Sequence, residues 1–152
     1  MEPNMFCYQC QETAKGTGCI LKGVCGKESH TAQAMDLLLF VVRGVSVVAD
    51  VLRKADCPVS EEVNIFVTDA LFCTITNANF DDESILKRVD KGITMRNGLI
   101  QEAKHNKVLL PKVDELTWQG TRDDYAGKAK TVGVLREQNE DIRSLKELLV
   151  YG

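Results

Sequence analysis

Apolar residues with helical spacing dominate the chain after residue 30. From about Thr31 to Arg53 they recur every three or four residues, which predicts one long helix. Further apolar residues fill its circumference, so we expect its middle to be buried on several sides. Gly44 lies inside this helix at a cost of about 1 kcal/mol in helix propensity, which indicates close packing of a neighbouring helix. The apolar positions are Met35, Leu37, Leu38, Leu39, Phe40, Val41, Val42, Val45, Val48 and Leu52.

Two further amphipathic helices are predicted, each with its own start signal. Pro58 ends the first element because the residue before a proline avoids the α region. Ser60, followed by two acids, starts the second helix, and Asp81 caps the third after a break at residues 76–79. The expected apolar face of the second helix is Val63, Phe66, Val67, Ala70, Leu71 and Phe72. That of the third is Ile85, Val89, Ile93, Leu99 and Ile100.

The last third of the chain is less regular. Residues 104–120 carry no clear period, a short helix is predicted at about 123–132, and a turn follows near Gly133. A final helix begins near Asn139 and places four apolar residues on one face, Ile142, Leu145, Leu148 and Leu149. Residues 147–151 echo residues 36–40, an acid followed by large apolar residues, and the pattern then stops without a cap. We expect a second bundle that is truncated.

No segment has the alternation of a strand, so the sequence predicts an all-α protein. The expected organisation is an irregular cysteine-rich loop at residues 1–29, a bundle of three main helices at 30–107, and a connecting segment with the start of a second helical bundle at 108–152.

The N-terminal loop carries the candidate chemistry. Cys7, Cys10, Cys19 and Cys25 have the spacing C-x2-C-x8-C-x5-C, with several glycines among them. Thiolates that converge from a loop able to bend around a small inorganic object favour an iron–sulfur cluster. A structural zinc site also takes four thiolates but more often pairs two short knuckles, and free or disulfide-bonded cysteines are the third alternative. The glycines at 18, 23 and 26 either offer N–H groups to cluster sulfurs or are ordinary turn residues.

Other candidate residues have structural explanations. Cys73 lies on the apolar face of the second helix and is expected in the core, and Cys57 is expected to be a bystander. We expect His30 at a helix start and His105 in solvent, and we expect residues 81–83 to be a helix cap. Dinucleotide, P-loop, nucleophile-elbow and HExxH motifs are absent from the sequence, so no catalytic residue is predicted.

The composition limits the kinds of protein to which the chain can belong. With 152 residues, 44% of them apolar, and a net charge of −3, the chain suits one domain or one piece of a larger protein. The charge argues against nucleic-acid binding. The longest apolar run, Leu37–Val42, is too short for a membrane span. The first residues lack the features of a signal peptide, so we expect a cytoplasmic protein with reduced thiols.

The cysteine loop and several later segments resemble the hybrid-cluster protein family, also called prismane protein or hydroxylamine reductase. The resemblance spans essentially the whole chain. The segments that carry it are residues 5–15, 18–19, 22–27, 36–38, 42–44, 75–82 and 139–149.

The resemblance implies a proximal cluster held by Cys7, Cys10, Cys19 and Cys25. Their spacing is similar to that of the subgroup from strict anaerobes, which implies a [4Fe–4S] cluster; another subgroup has wider spacing and a [2Fe–2S] cluster. Members also hold a hybrid iron–sulfur–oxygen cluster, with ligands from later domains, that reduces hydroxylamine to ammonia and water. Nitric oxide reduction and protein S-nitrosylation are also attributed to members.

The resemblance implies that the hybrid-cluster ligands lie beyond residue 152. The resemblance therefore implies the N-terminal electron-transfer domain of such an oxidoreductase, not catalytically competent alone. Its partners would be a redox protein that donates electrons and the remaining domains of the parent. A stand-alone electron-transfer module and a cluster-free or zinc-bound helical fragment are the alternatives.

Overall fold

The computed structural model describes residues 4–76 and 78–151, and within these the fold is all-α, as predicted. Asn77, part of the predicted break, lies outside the described residues. The only β feature among them is an isolated antiparallel bridge between Cys7 and Cys19. The helices are α1 (Ser29–Lys54), α2 (Glu61–Ile75), α3 (Asp82–His105), α4 (Asp114–Thr117), α5 (Tyr125–Val132) and α6 (Glu140–Tyr151).

The predicted start signals are confirmed. The Ser60 side chain accepts a hydrogen bond from the Glu62 N–H at 3.3 Å, and Asp81 accepts one from the Glu83 N–H at 3.0 Å. Asn139 Oδ1 accepts from the Ile142 N–H at 3.1 Å at the start of α6. Each bond satisfies a donor that the first helical turn leaves free.

Helix α1 is the centre of the bundle, since α2, α3, α4 and α5 all pack against it. Its middle is buried on several sides, as its continuous apolar run predicts. The core also includes Leu116, Tyr125 and Ala129 from the segment after residue 107. The expected boundary at residue 107 stays a prediction.

Gly44 lies where two neighbours approach α1 closely. A Cβ at this position would be 2.6 Å from the Glu115 carbonyl oxygen and 3.0 Å from Cδ of Arg96. Glu115 belongs to α4 and Arg96 to α3. The glycine therefore allows close helix packing, as predicted.

One expectation was wrong. Phe72 was placed on the buried face of α2, but its side chain is 63% exposed; α2 is buried through a narrower stripe that includes Phe66, Ala70 and Cys73. The stretch 104–120 has little regular structure, as expected, since α3 ends at His105 and α4 spans only Asp114–Thr117. A helix of one turn is too short to produce a period in the sequence.

The apolar side chains of α6 that share one predicted face are exposed to solvent. They are Ile142, Leu145, Leu148 and Leu149. Instead, Glu147 is the buried residue of α6, with 3% of its surface accessible. The polar side of α6 therefore faces the protein.

Helix α3 offers a matched pair of glycines for a stability test. A Cβ at Gly92 would be 2.6 Å from Cγ1 of Val41 and 2.8 Å from Cζ of Phe66, whereas one at Gly98 would meet nothing within 4 Å. We expect Gly92→Ala to destabilise the fold by about 1–3 kcal/mol through overpacking. Gly98→Ala should stabilise it by about 0.5–1 kcal/mol through helix propensity. Urea unfolding of both variants measures this, and a change of the same sign in both would contradict the packing of α3 on α1 and α2.

No helix within residues 4–76 and 78–151 is both long enough and apolar enough to cross a membrane.

Candidate metal centre

The cysteine loop closes on itself through Cys7 and Cys19. The Cys7 N–H donates to the Cys19 carbonyl at 3.1 Å, and the Cys19 N–H donates back to the Cys7 carbonyl at 2.9 Å. Met5 and Cys19 pack with Ala32 of α1 in a small apolar cluster of their own. This cluster fixes the loop to the start of the central helix.

The Cys19 thiol is buried and lies within hydrogen-bond distance of two polar groups. The Ala14 N–H lies 3.5 Å from Sγ, and the Thr13 hydroxyl lies 3.7 Å from it. Burial by itself raises the pKa of this thiol, but bonds from Ala14, Val24 and Thr13, together with the charge of Lys27, outweigh burial and lower the pKa. The surroundings of Cys19 thus favour the thiolate, which is the form that binds metal.

The Cys7 thiol has a different environment. Burial raises its pKa, and the positive charge of Lys27 and a bond with the Gln9 backbone offset part of that effect. Lys27 Nζ lies 3.8 Å from Cys7 Sγ and 3.2 Å from Gln9 Oε1. A buried ammonium group therefore faces the sulfur directly.

Cys10 and Cys25 are more accessible than Cys19. Cys10 is half-buried, and its carbonyl accepts from the Thr13 N–H at 3.3 Å. Cys25 is exposed within a tight turn in which the Gly26 N–H donates to the Gly23 carbonyl at 2.8 Å. The loop therefore has a buried side at Cys19 and a solvent-facing edge at Cys25.

The loop glycines allow tight turns and close contacts of the loop backbone. A Cβ at Gly23 would be 3.0 Å from Cys25 Sγ, and one at Gly18 would be 2.5 Å from the Phe6 ring. Gly18 and Gly26 have φ of 123° and 96°, in the region that favours glycine. The N–H groups of Gly23 and Gly26 donate to loop carbonyls. These two glycines are therefore turn residues, and the N–H group that bonds to Cys19 Sγ belongs to Ala14.

All six cysteines are free thiols. Among the described residues, no three Cys, His, Asp or Glu side chains are gathered closely enough to hold a single metal ion. The four predicted ligands thus lie in one folded loop without surrounding one common point.

Residues that the sequence did not single out lie behind the loop. Tyr151 of α6 shares a hydrogen bond with Thr74 of α2 at 2.7 Å and accepts one from Gln9 Nε2 at 3.1 Å. Burial raises the pKa of the neighbouring Glu147 carboxyl, which also interacts with Tyr8, Lys27 and Gln9. Two helices distant in sequence therefore support the loop from behind. The one available signal was the acid at 147, which directly precedes a run of large apolar residues.

The remaining candidates have structural roles, as predicted. Cys73 is buried in the main core, and Cys57 packs against that core at a half-buried position. His30 lies in the first turn of α1 and bonds to Asp82 of α3 at 2.5 Å. His105, the last residue of α3, is exposed.

Sequence comparisons place this loop among known proteins. The chain is 55% identical over 150 residues to a hydroxylamine reductase of Bacteroides thetaiotaomicron, which covers 98% of this chain and 26% of that protein. It is 47% identical over 153 residues to one of Porphyromonas gingivalis, covering 100% of this chain and 28% of that protein. It is 44% identical over 155 residues to a hydroxylamine reductase of Nitratidesulfovibrio vulgaris, covering 97% of this chain and 28% of that protein.

The chain thus spans about a quarter of the length of these curated relatives. Residues 5–152 match the family model described as Prismane/CO dehydrogenase family. The match covers nearly every residue and includes all four loop cysteines, and the chain therefore belongs to the Prismane/CO dehydrogenase family.

Proposed function

We propose that the cysteine loop binds a [4Fe–4S] cluster and that the chain is the N-terminal electron-transfer domain of a hydroxylamine-reductase-type oxidoreductase. One observation carries the proposal. Four free thiols lie in a single loop whose Cys19 sulfur accepts a bond from the Ala14 N–H and shares one with the Thr13 hydroxyl, and whose Cys7 sulfur faces an ammonium group. Donors of these kinds stabilise thiolates and the negative charge of an iron–sulfur cluster.

The residues present fit such a cluster better than a single zinc ion. Zinc would require all four sulfurs at about 2.3 Å from one point. In a cubane cluster each thiolate binds a different iron, so the sulfurs stand further apart. The spacing C-x2-C-x8-C-x5-C has only one short knuckle, whereas structural zinc sites more often pair two, and this favours the cluster. Cys7, Cys10, Cys19 and Cys25 would each bind one iron.

When bound, the cluster would accept and pass on one electron at a time. The chain supplies the conditions for this. Burial of Cys19 and of Met5 keeps water from one side of the loop, and the Ala14 and Val24 N–H groups stabilise sulfur charge. The exposed Cys25 edge, with Val24 also exposed, is where a redox partner protein would approach.

Reduction of hydroxylamine belongs, in this proposal, to the remaining part of a longer parent protein. The relatives named hydroxylamine reductase are about four times as long as this chain. The exposed apolar side chains of α6, including Leu145, Leu148 and Leu149, form a surface that the remaining domains would cover. We infer no catalytic residue in this chain.

Anaerobic reconstitution tests the proposal. We expect the chain, supplied with iron and sulfide under reducing conditions, to bind both in equal amounts and to show a brown absorbance that bleaches with dithionite. With a reduced viologen dye as donor, the same sample should not turn over hydroxylamine.

Two results would count against the proposal. A colourless, iron-free chain that binds zinc tightly would support the zinc-bound alternative. Substantial hydroxylamine reduction by the chain alone would refute the assignment of the reaction to the rest of the parent.

A further inference from the structure

Lys27 is an unusual residue for its position. Its side chain is 1% exposed, although it belongs to an irregular loop. Its ammonium group donates to Cys7 Sγ at 3.8 Å, to Gln9 Oε1 at 3.2 Å and to the Thr74 carbonyl at 3.5 Å. The three contacts use all three ammonium hydrogens and fix the charge in place.

The buried charge lacks a carboxylate partner. The ion pairs found within residues 4–76 and 78–151 do not include Lys27. The carboxyl groups of Asp36 and Glu147 lie beyond ion-pair distance from it, and burial raises the pKa of both, an effect that the charge of Lys27 only partly offsets. A buried ammonium group is costly unless a negative charge offsets it, and the group in direct contact that can carry one is the Cys7 sulfur.

We propose that Lys27 sets the reduction potential of the cluster through its fixed positive charge against Cys7 Sγ. This inference rests on the proposed function. Reduction adds one negative charge to the cluster, so a neighbouring cation stabilises the reduced form more than the oxidised form. Negative charge on Asp36 or Glu147 would oppose this effect, but Coulomb interactions weaken with distance, and Lys27 is the group in contact with the ligand sulfur. Lys27 therefore raises the potential.

Lys22 is the matched control. It belongs to the same loop, but its side chain is exposed and pairs with Glu28 at 2.5 Å. Solvent and salt screen an exposed charge of this kind. Lys22→Met removes the same formal charge as Lys27→Met without removing a buried one.

The experiment is a redox titration of the reconstituted chain, followed by absorbance and by electron paramagnetic resonance. At the wild-type midpoint potential we expect Lys27→Met to lower the ratio of reduced to oxidised cluster about tenfold, equivalent to a shift of about 59 mV to lower potential for one electron. Lys22→Met should shift the midpoint potential far less. Lys27→Arg keeps the charge, so its midpoint potential should remain near that of the wild type. The Lys27→Met shift should persist in 1 M salt. If Lys27→Met does not fold, Lys27→Gln replaces it, because the amide can donate hydrogen bonds without a charge.

Three results would overturn the inference. The first is a Lys27→Met cluster with the wild-type midpoint potential, and the second is an equal shift of the potential in Lys27→Met and Lys22→Met. The third is loss of the cluster in Lys27→Arg as well as in Lys27→Met, because Lys27 would then be a structural residue. If the wild-type chain takes up no cluster, the proposed function itself fails and the inference with it. Iron and sulfide content, measured before each titration, distinguishes the two failures.

Discussion

Cys19→Ser should abolish stable cluster binding. Cys19 is the most buried of the four loop cysteines, and the Ala14 N–H and Thr13 hydroxyl converge on its sulfur. A serine hydroxyl at this position is a poor iron ligand, and it stays protonated at neutral pH. Loss of residues outside a ligand set already lowers metal affinity about 10–100-fold, so loss of a ligand should lower the bound iron by at least about tenfold. Iron and sulfide analysis after anaerobic reconstitution measures it.

Cys73→Ser is the control for this substitution. Cys73 is equally buried, but it lies in the main core of the bundle and accepts a bond from Asn79 Nδ2 at 3.5 Å. We expect Cys73→Ser to keep its iron and to lose about 1–2 kcal/mol of stability, because a hydroxyl is harder to bury than a thiol. Equal iron loss in the two variants would mean that the ligands are assigned to the wrong thiols.

The helices could be predicted, and a ligand set proposed, because the signals for both are local. Four cysteines within nineteen residues and a cap such as Ser60 or Asp81 can be recognised without tertiary structure. Helix type and approximate ends follow from the same short-range rules.

The groups around the thiols could not be predicted, because the fold brings them together from distant segments. In the sequence, Lys27 does not differ from the solvated Lys22, yet one is buried against Cys7 and the other is exposed. The orientation of α6 is a second example. The sequence predicts an apolar face on this helix but not which side is buried, and in the structure Glu147 and Tyr151, spaced four residues apart, face the loop. Which side of an amphipathic helix is buried depends on its neighbours.

Arg96 belongs to the buried stripe of α3, where the apolar pattern placed no charge. Its side chain is 0% exposed. The guanidinium donates to the Glu115 carbonyl at 2.9 Å and to the Trp118 carbonyl at 2.8 Å. Burial lowers the pKa of the guanidinium, but an arginine remains charged at neutral pH. Arg96 thus connects α3 to α4 and to Trp118, the residue that follows α4.

Arg96→Ala should therefore destabilise the fold strongly. The substitution leaves two carbonyls without their donor and opens a cavity beside Gly44, whose site for a Cβ is 3.0 Å from Cδ of Arg96. An unsatisfied buried polar group costs about 1–3 kcal/mol, so we expect a total loss of about 3–5 kcal/mol, measured by urea unfolding.

Arg122→Ala is the matched control. Arg122 pairs with Glu83 at 3.0 Å and with Asp90 at 2.5 Å, but the three side chains are exposed. Exposed ion pairs contribute at most about 1 kcal/mol because solvent screens them. Arg122 makes ion pairs with two acids and Arg96 makes none within residues 4–76 and 78–151, so a count of ion pairs would rank the two arginines in the opposite order. A loss in Arg122→Ala as large as that in Arg96→Ala would show that burial does not decide the contribution of these arginines.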